Sequence, residues 1–338
     1  LLAKSTKGYF RIDWKDCDAR ADVIDKIACT AVRVVKLVRA HLMQARRSKR
    51  KRLLRRCRHL LQIVADDLEV DEQGRLVVAR RVAKDRLVSI TDPQARHSRK
   101  TKSRPFRGYR LHVLGDAISG LIASVSVTPA NRGDGLPAPR LIQRAKRLCS
   151  EIEQVLADTA YGGAELHLRA RTEQGVDVLA PPFATTPKKG MIPVTDFTLN
   201  LSEGQATCPH GVTVQMRTRK CGERYFRWQA KSCRGCPLRP ACFGKATLSR
   251  EVRVHAQHEE LEAIRERWKQ PEVREAYRER SQCERLIREA VRRGGRQAAA
   301  WGLQAAVLQA HTIAIGCNLA ILAKALASRR DSSLARAA

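Results

Sequence analysis

Apolar residues recur at steps of three and four in the first part of the chain. Ile24, Ile27, Ala31, Val34, Val35, Val38 and Leu42 trace one stripe over residues 20–66, no proline interrupts it, and the pattern predicts helix. From residue 86 the period changes to alternating or short continuous apolar runs. Residues 87–90, 110–114 and 121–127 read as strands, and the turn-rich link 115–120 makes the last two an antiparallel hairpin. A helix is expected at about 138–150, then a short strand at 155–157 ending on Asp158, then a strand at 176–180 before Pro181 and Pro182. This order predicts an α/β fold with one partly antiparallel, mixed sheet.

Residues 183–250 are rich in Gly, Pro and Thr, hold short β-like pieces such as 212–214, and read as an insertion. Beyond 256 the helical period returns, over 259–269, about 272–293, and a last segment without charge between Arg296 and Lys324. That segment is long enough to span a membrane. Gln297, Gln304, Gln309, His311, Thr312 and Asn318 interrupt it, so a buried helix is expected and no membrane partner.

Charge narrows the choice of partner. The 338 residues contain 65 Lys plus Arg against 34 Asp plus Glu, so a polyanion is the natural ligand, nucleic acid before an anionic membrane. Arg46, Arg47, Lys49, Arg50, Lys51, Arg52, Arg55, Arg56 and Arg58 sit among leucines, as on a helix with one apolar and one phosphate-seeking face. A second basic run, Arg96, Arg99, Lys100, Lys102, Arg104, Arg107 and Arg110, has no acid from Pro93 through Gly115 and is expected to contact DNA phosphates. The alternative is a solvated loop. The first residues, from Leu1 to Lys7, lack a signal-peptide core, so a cytoplasmic location is expected.

Eleven cysteines are unevenly spread, and in a basic, unsecreted chain they point to metal or reduced thiols rather than disulfides. Cys208, Cys233, Cys236 and Cys242 offer a Cys-x2-Cys knuckle with two further thiols, a set suited to tetrahedral Zn²⁺. Cys221 is a fifth candidate, and free buried thiols are the competing reading. Asp158, at the carboxyl end of a strand, is placed either for metal chemistry or merely to cap the next turn. Tyr277, Arg280, Glu284 and Arg288 are spaced three, four and four, which puts them on one helix face, where a surface ladder of ion pairs is the plain alternative.

Taken in order, these pieces resemble a known family. The string from Val155 through Asp158 to Tyr161 and Gly162 resembles the second-aspartate motif of bacterial insertion-sequence transposases of the DDE type, which have a ribonuclease H-like core. Tyr277, Arg280 and Glu284 are similar to the family's signature around its third acid. Thr91 to His97 leading to Phe106 to His112 looks like its second strand and approach, and Val127 to Asn131 like the end of its third. The cysteine pieces look like its inserted segment.

The resemblance implies a ribonuclease H-like mixed sheet with flanking helices, a cysteine-rich β-containing insertion and an N-terminal helical segment. The implied layout is 1–85 helical and basic, 86–182 first part of the core, 183–250 insertion, 251–328 helical part with the glutamate, and 329–338 a disordered tail. It also implies DNA strand cleavage and transfer at insertion-sequence ends by a homo-oligomer on DNA, with two Mg²⁺ ions about 3.5–4 Å apart. Asp158 and Glu284 would supply ligands, and Tyr277 and Arg280 would meet a phosphate or orient the glutamate. The family's first aspartate has no counterpart here. The expectation is that it lies upstream of Leu1, with Asp92 the nearest substitute within the chain, and an inactive fragment is one reading that follows if the first aspartate is missing. The lysine or arginine expected beyond the glutamate falls on Val291, beside Arg292 and Arg293. A zinc-stabilised DNA-binding protein without catalysis, and a ribonuclease H-like nuclease, are the alternatives.

Overall fold

The computed structural model describes residues 12–81, 83–101, 103–183, 190–242 and 249–337, without the side chains of 329–337. In chain order the elements are α1 (Cys17–Ala40), α2 (Arg47–Asp67), β1 (Leu68–Val70), β2 (Leu76–Val78), β3 (Arg96–Thr101), β4 (Arg104–Gly115) and β5 (Ile122–Pro129). Next come α3 (Ala138–Lys146), β6 (Gln154–Leu156), α4 (Ala164–Gln174) and β7 (Asp177–Leu179). Six short strands follow: β8 (Thr198–Asn200), β9 (Gln205–Thr207), β10 (Thr213–Gln215), β11 (Arg217–Thr218), β12 (Arg224–Gln229) and β13 (Ser249–Arg253), with a one-turn α5 (Arg239–Cys242) before the last. The chain ends in α6 (His258–Lys269), α7 (Pro271–Tyr277), α8 (Ser281–Ala290) and α9 (Leu303–Ala337). Contacts divide it into two compact units, Leu1–Gly133 with Cys283–Ala338, and Asp134–Gln282.

In the first unit, α1 starts on Asp16, whose carboxylate accepts the Asp18 and Ala19 N–H groups. Its buried face is Ala21, Val23, Ala28 and Val35, while Ile27 and Val34 of the expected stripe stay 41% and 45% exposed. The β1–β2 hairpin was not expected. Arg75 in its turn binds Asp18, Asp22 and Asp71 at 2.9–3.1 Å and so ties the hairpin to α1.

The main sheet of this unit is antiparallel, in the order β3-β4-β5, and the predicted 115–120 hairpin is present between β4 and β5. Ile122, Val125, Leu286, Ala290, Ala310, Ile313, Ala314 and Cys317 form the core beneath it. Asn318 on α9 accepts the Ile122 N–H at 2.8 Å and donates to the Ile122 carbonyl at 2.9 Å, satisfying both polar groups of one strand residue.

Three expectations need correction here. Residues 87–90 are not a strand, and the Leu87 N–H is taken by the Asp66 carboxylate at 3.3 Å and not by a neighbouring strand. Helix α9 is buried on one face only, and Leu308, Ile315, Leu319, Leu322 and Leu326 are exposed on the other, so its long uncharged run does not make a fully buried helix. It is long and apolar enough to pass for a membrane span by composition, yet its Ala-rich face packs on β5. The helix also continues through 329–337, where a disordered tail was expected; Ala and Arg there are good helix formers.

In the second unit, β6 and β7 pair in parallel through the crossover helix α4, with Val176, Val178, Leu179 and Ala180 buried. Helix α3 packs Leu141, Ile142 and Ala145 inward, and Gln174 at the end of α4 donates to the Pro139 carbonyl at 2.6 Å. This pair and β3-β4-β5 are separate sheets, not the single mixed sheet expected, since no strand among the described residues hydrogen-bonds to both. Beyond β7 the unit holds a β cluster of two three-stranded antiparallel sheets, β8-β9-β10 and β11-β12-β13, around Phe197, Phe226, Trp228, Val252 and Val254, followed by α6 and α7.

Candidate functional site

Asp158 lies just past β6, as the strand pattern predicts. Its Oδ1 accepts the Ala160 N–H at 3.0 Å, so it caps the turn Thr159–Tyr161, and the side chain is exposed at the carboxyl end of the parallel pair. The following glycine is fixed by contact. A Cβ on Gly162 would lie 2.2 Å from the Pro181 carbonyl oxygen, so only glycine lets this turn press against the exit of β7.

Tyr277 ends α7, and a 3₁₀ turn, Arg278–Arg280, separates it from α8. Residues three apart eclipse in such a turn, which brings the Arg280 guanidinium to 5.8 Å from the Tyr277 ring centre. The ring stands edge-on to Trp268, centroids 4.9 Å apart at 83°. The continuous helix face expected for Tyr277, Arg280, Glu284 and Arg288 is thus broken into α7, a tighter turn and α8. Glu284 is exposed in the first turn of α8. Asp158, Tyr277 and Arg280 belong to the second unit and Glu284 to the first. A five-residue π turn, Val291–Gly295, follows α8, with Arg292 and Arg293 on Glu289 at 3.4 and 3.0 Å.

Asp92 has a structural task. It is 8% exposed; Oδ1 accepts from the Gln94 and Ala95 N–H groups and, at 2.5 Å, from the Tyr109 hydroxyl, and Oδ2 accepts the Gly302 N–H at 3.1 Å. Burial first, then this carboxylate, push the Tyr109 phenol above its ordinary pKa. With Gln94 holding the Leu303 N–H at 2.9 Å, Asp92 caps the start of α9 from two hundred residues away. Both of its oxygens are committed, so it is not placed to replace a metal-binding aspartate.

The basic run forms a hairpin where a loop was the alternative: Arg96–Thr101 is strand β3, paired with β4. Arg99, Lys100, Arg104 and Arg107 are exposed on it. Arg96 donates to the Pro93 and Ala95 carbonyls, and Arg110 donates to Ser98 Oγ at 2.9 Å, so these two also brace the sheet. Lys102 lies outside the described residues.

The four cysteines all border the β cluster. Cys208 opens a turn in which Gly211 (φ +80°) donates its N–H back to the Cys208 carbonyl at 2.8 Å, and Cys233 and Cys236 flank a turn with Gly235 at φ +82°. Cys242 ends α5. Burial, then the neighbouring thiols Cys208 and Cys236, raise the Cys233 pKa; burial dominates likewise at Cys242. Cys221 is exposed. Among the described residues, no three His, Cys, Asp or Glu side chains gather at one metal-sized point.

Sequence reasoning missed a cleft of about 310 Å³ in the second unit, between α4, β7 and α6. Arg267 forks onto Asp177 with two 2.6 Å bonds, Arg171 pairs with Glu260, and His167 is buried with its pKa lowered by desolvation. Only a long-range pairing of Arg and Asp could have flagged it, and spacing does not carry that signal.

Residues 207–323, about a third of the chain, match the family described as "Transposase DDE domain". The match takes in Cys208, Cys233, Cys236, Cys242, Tyr277, Arg280 and Glu284, and Asp158 lies before it. No curated protein and no solved structure matches the chain.

Proposed function

For a chain that carries a transposase DDE domain, we propose metal-dependent DNA strand cleavage and transfer at the ends of an insertion sequence, acting as a homo-oligomer in the cytoplasm. The observation that carries this reading is the match itself, whose residues include Tyr277, Arg280 and Glu284. The fold would be a ribonuclease H-like core with the β cluster as its insertion. Support comes from the antiparallel β4–β5 hairpin, the parallel β6–β7 pair with its crossover helix, and Asp158 exposed at the end of β6.

Asp158 and Glu284 are the acids that would hold Mg²⁺, which supplies Lewis-acid activation of a phosphodiester when bound. What the chain's own residues do is bind and orient. Arg280, steadied over the Tyr277 ring, offers a planar fork to a phosphate. Arg99, Lys100, Arg104 and Arg107 on the β3–β4 hairpin, and the basic face of α2, neutralise the DNA backbone without reading sequence.

A structural Zn²⁺ on Cys208, Cys233, Cys236 and Cys242 is the finer part of the proposal, and it requires the four thiols to converge more closely than they do here. It is supported by the two glycine-closed turns and by the shared apolar cluster the thiols border. Metal analysis of the dialysed protein tests it: one zinc per chain is expected, and none removes it. One observation favours the reading without catalysis, namely that Asp158 already serves as a cap. Mn²⁺ titration of the DNA-bound chain by electron paramagnetic resonance separates the two. The catalytic reading expects bound Mn²⁺ to be lost in D158A and in E284A, and the binding-only reading expects no difference.

A further inference from the structure

Trp301 is 75% exposed. Single exposed apolar residues are ordinary on protein surfaces, and exposure alone says little. What distinguishes Trp301 is the way its loop is mounted. Residues 296–302 join the π turn to α9, and Gln309 on α9 reaches back under them. Its Nε2 donates to the Gly294 and Gln297 carbonyls at 3.0 and 2.8 Å, and its Oε1 accepts the Ala299 N–H at 2.9 Å. On the other side of the indole, Asp92 and Gln94 hold the Gly302 and Leu303 N–H groups at 3.1 and 2.9 Å. Five hydrogen bonds from three side chains therefore fix the backbone on both sides of Trp301. The three residues before it are alanines, so the ring stands clear of its neighbours. A rigid loop that presents a bare indole is built to offer its face, because a ring with no task gains by folding down.

The electrostatic setting indicates what the face would meet. Residues 285–302 contain Arg285, Arg288, Arg292, Arg293 and Arg296, all exposed, against one acid, Glu289. Glu289 pairs with Arg292 and Arg293 and neutralises at most part of the set. Cations that attract a phosphate backbone, in the stretch of chain that leads to an exposed aromatic ring, are the two parts of a surface that holds a strand and stacks its bases. An apolar protein partner would gain nothing from the five arginines.

We propose that Trp301 stacks on an unpaired or unstacked base of DNA whose backbone is held by the arginines of residues 285–296. The inference rests on the DNA reading above and adds a contact to a base where that reading supplies only contacts to phosphates. The stacking face accepts any base, so the contact selects for strand opening and not for sequence.

The test uses the full chain and its W301A and W301F variants with a short fluorescent single-stranded oligonucleotide, and with the same strand paired in a duplex. Unchanged thermal melting establishes that the variants fold. For W301A, the expected result is a loss of single-strand affinity on the order of ten- to a hundredfold with the salt dependence unchanged, since no charge is removed. W301F is expected to retain most of the affinity, and duplex binding is expected to change less. Single-strand affinity of W301A within twofold of the parent overturns the inference while leaving the DNA reading intact. A W301A chain that binds DNA normally but loses self-association in sedimentation assigns the ring to a protein contact and likewise overturns it. Failure of the parent chain to bind either oligonucleotide removes the DNA reading and this inference together.

Discussion

The core under α9 is made of long elements, twelve residues in β4, eight in β5 and thirty-five in the helix. The cluster around Trp228 is made of strands two to six residues long. In the first, many small contacts between Ala, Val and Ile accumulate along a regular interface, and Asn318 closes the remaining backbone polar groups. In the second, three large aromatics, Phe197, Phe226 and Trp228, are buried together. Trp228 is 1% exposed, sits 4.9 Å from the Phe197 ring centre and donates its indole N–H to the Val212 carbonyl. Short strands lack the length to bury a core by repetition, so they depend on a few bulky anchors and on whatever ties the thiols at their edge.

The sharpest way to break this contrast is W228A. Loss of a buried Trp is expected to cost about 3–5 kcal/mol, concentrated in the β cluster. Hydrogen exchange should show β8–β13 amides losing protection while β4 and β5 keep theirs, and equal loss in both would mean the two cores fold as one. Next in size is D92A, which strips a buried acceptor from the Ala95 and Gly302 N–H groups and the Tyr109 hydroxyl. Denaturant unfolding should show a loss of roughly 1–3 kcal/mol, with faster exchange at Gly302 at the start of α9.

The smallest effect concerns the second unit's ion pair. Burial works to raise the Asp177 pKa, but the Arg267 fork and Gln154 outweigh it, and the net shift is downward. A carboxylate held below its unfolded value contributes stability that is present above about pH 4 and is lost as pH falls through the folded value. R267A should therefore lower stability at neutral pH and flatten the acid limb of a stability profile. An acid limb unchanged from the parent would show that the pair contributes nothing.

Much of this architecture was legible in the chain. The α1–α2 region, the β4–β5 hairpin and the β6–α4–β7 unit follow from periodicity and turn residues, and Asp158 falls at its strand end as the pattern requires. Strand β3 was not legible, because Arg, Ser, Lys and Thr carry no apolar alternation and only pairing with β4 makes them a strand. The break between Tyr277 and Glu284 was equally hidden, since every residue there is a competent helix former and the tighter turn is set by tertiary context. The task of Asp92 depends on partners seventeen and two hundred and ten residues away, which no local pattern encodes. On the site itself, spacing and resemblance supplied the residues and the structure supplied their settings: Tyr277 against Trp268, Asp158 as a cap, and the basic run as a hairpin.

The central claim is that Asp158 and Glu284 serve DNA chemistry and not only the fold. Its most direct test is Mn²⁺ binding to the full chain on duplex DNA, read by electron paramagnetic resonance, with D158A and E284A run beside it and DNA affinity measured for all three. The account predicts that the parent takes up Mn²⁺ on DNA, that each variant loses it, and that DNA affinity stays within a fewfold of the parent. Mn²⁺ binding that survives either substitution, or a parent chain that binds the duplex and takes up no Mn²⁺, would contradict the account.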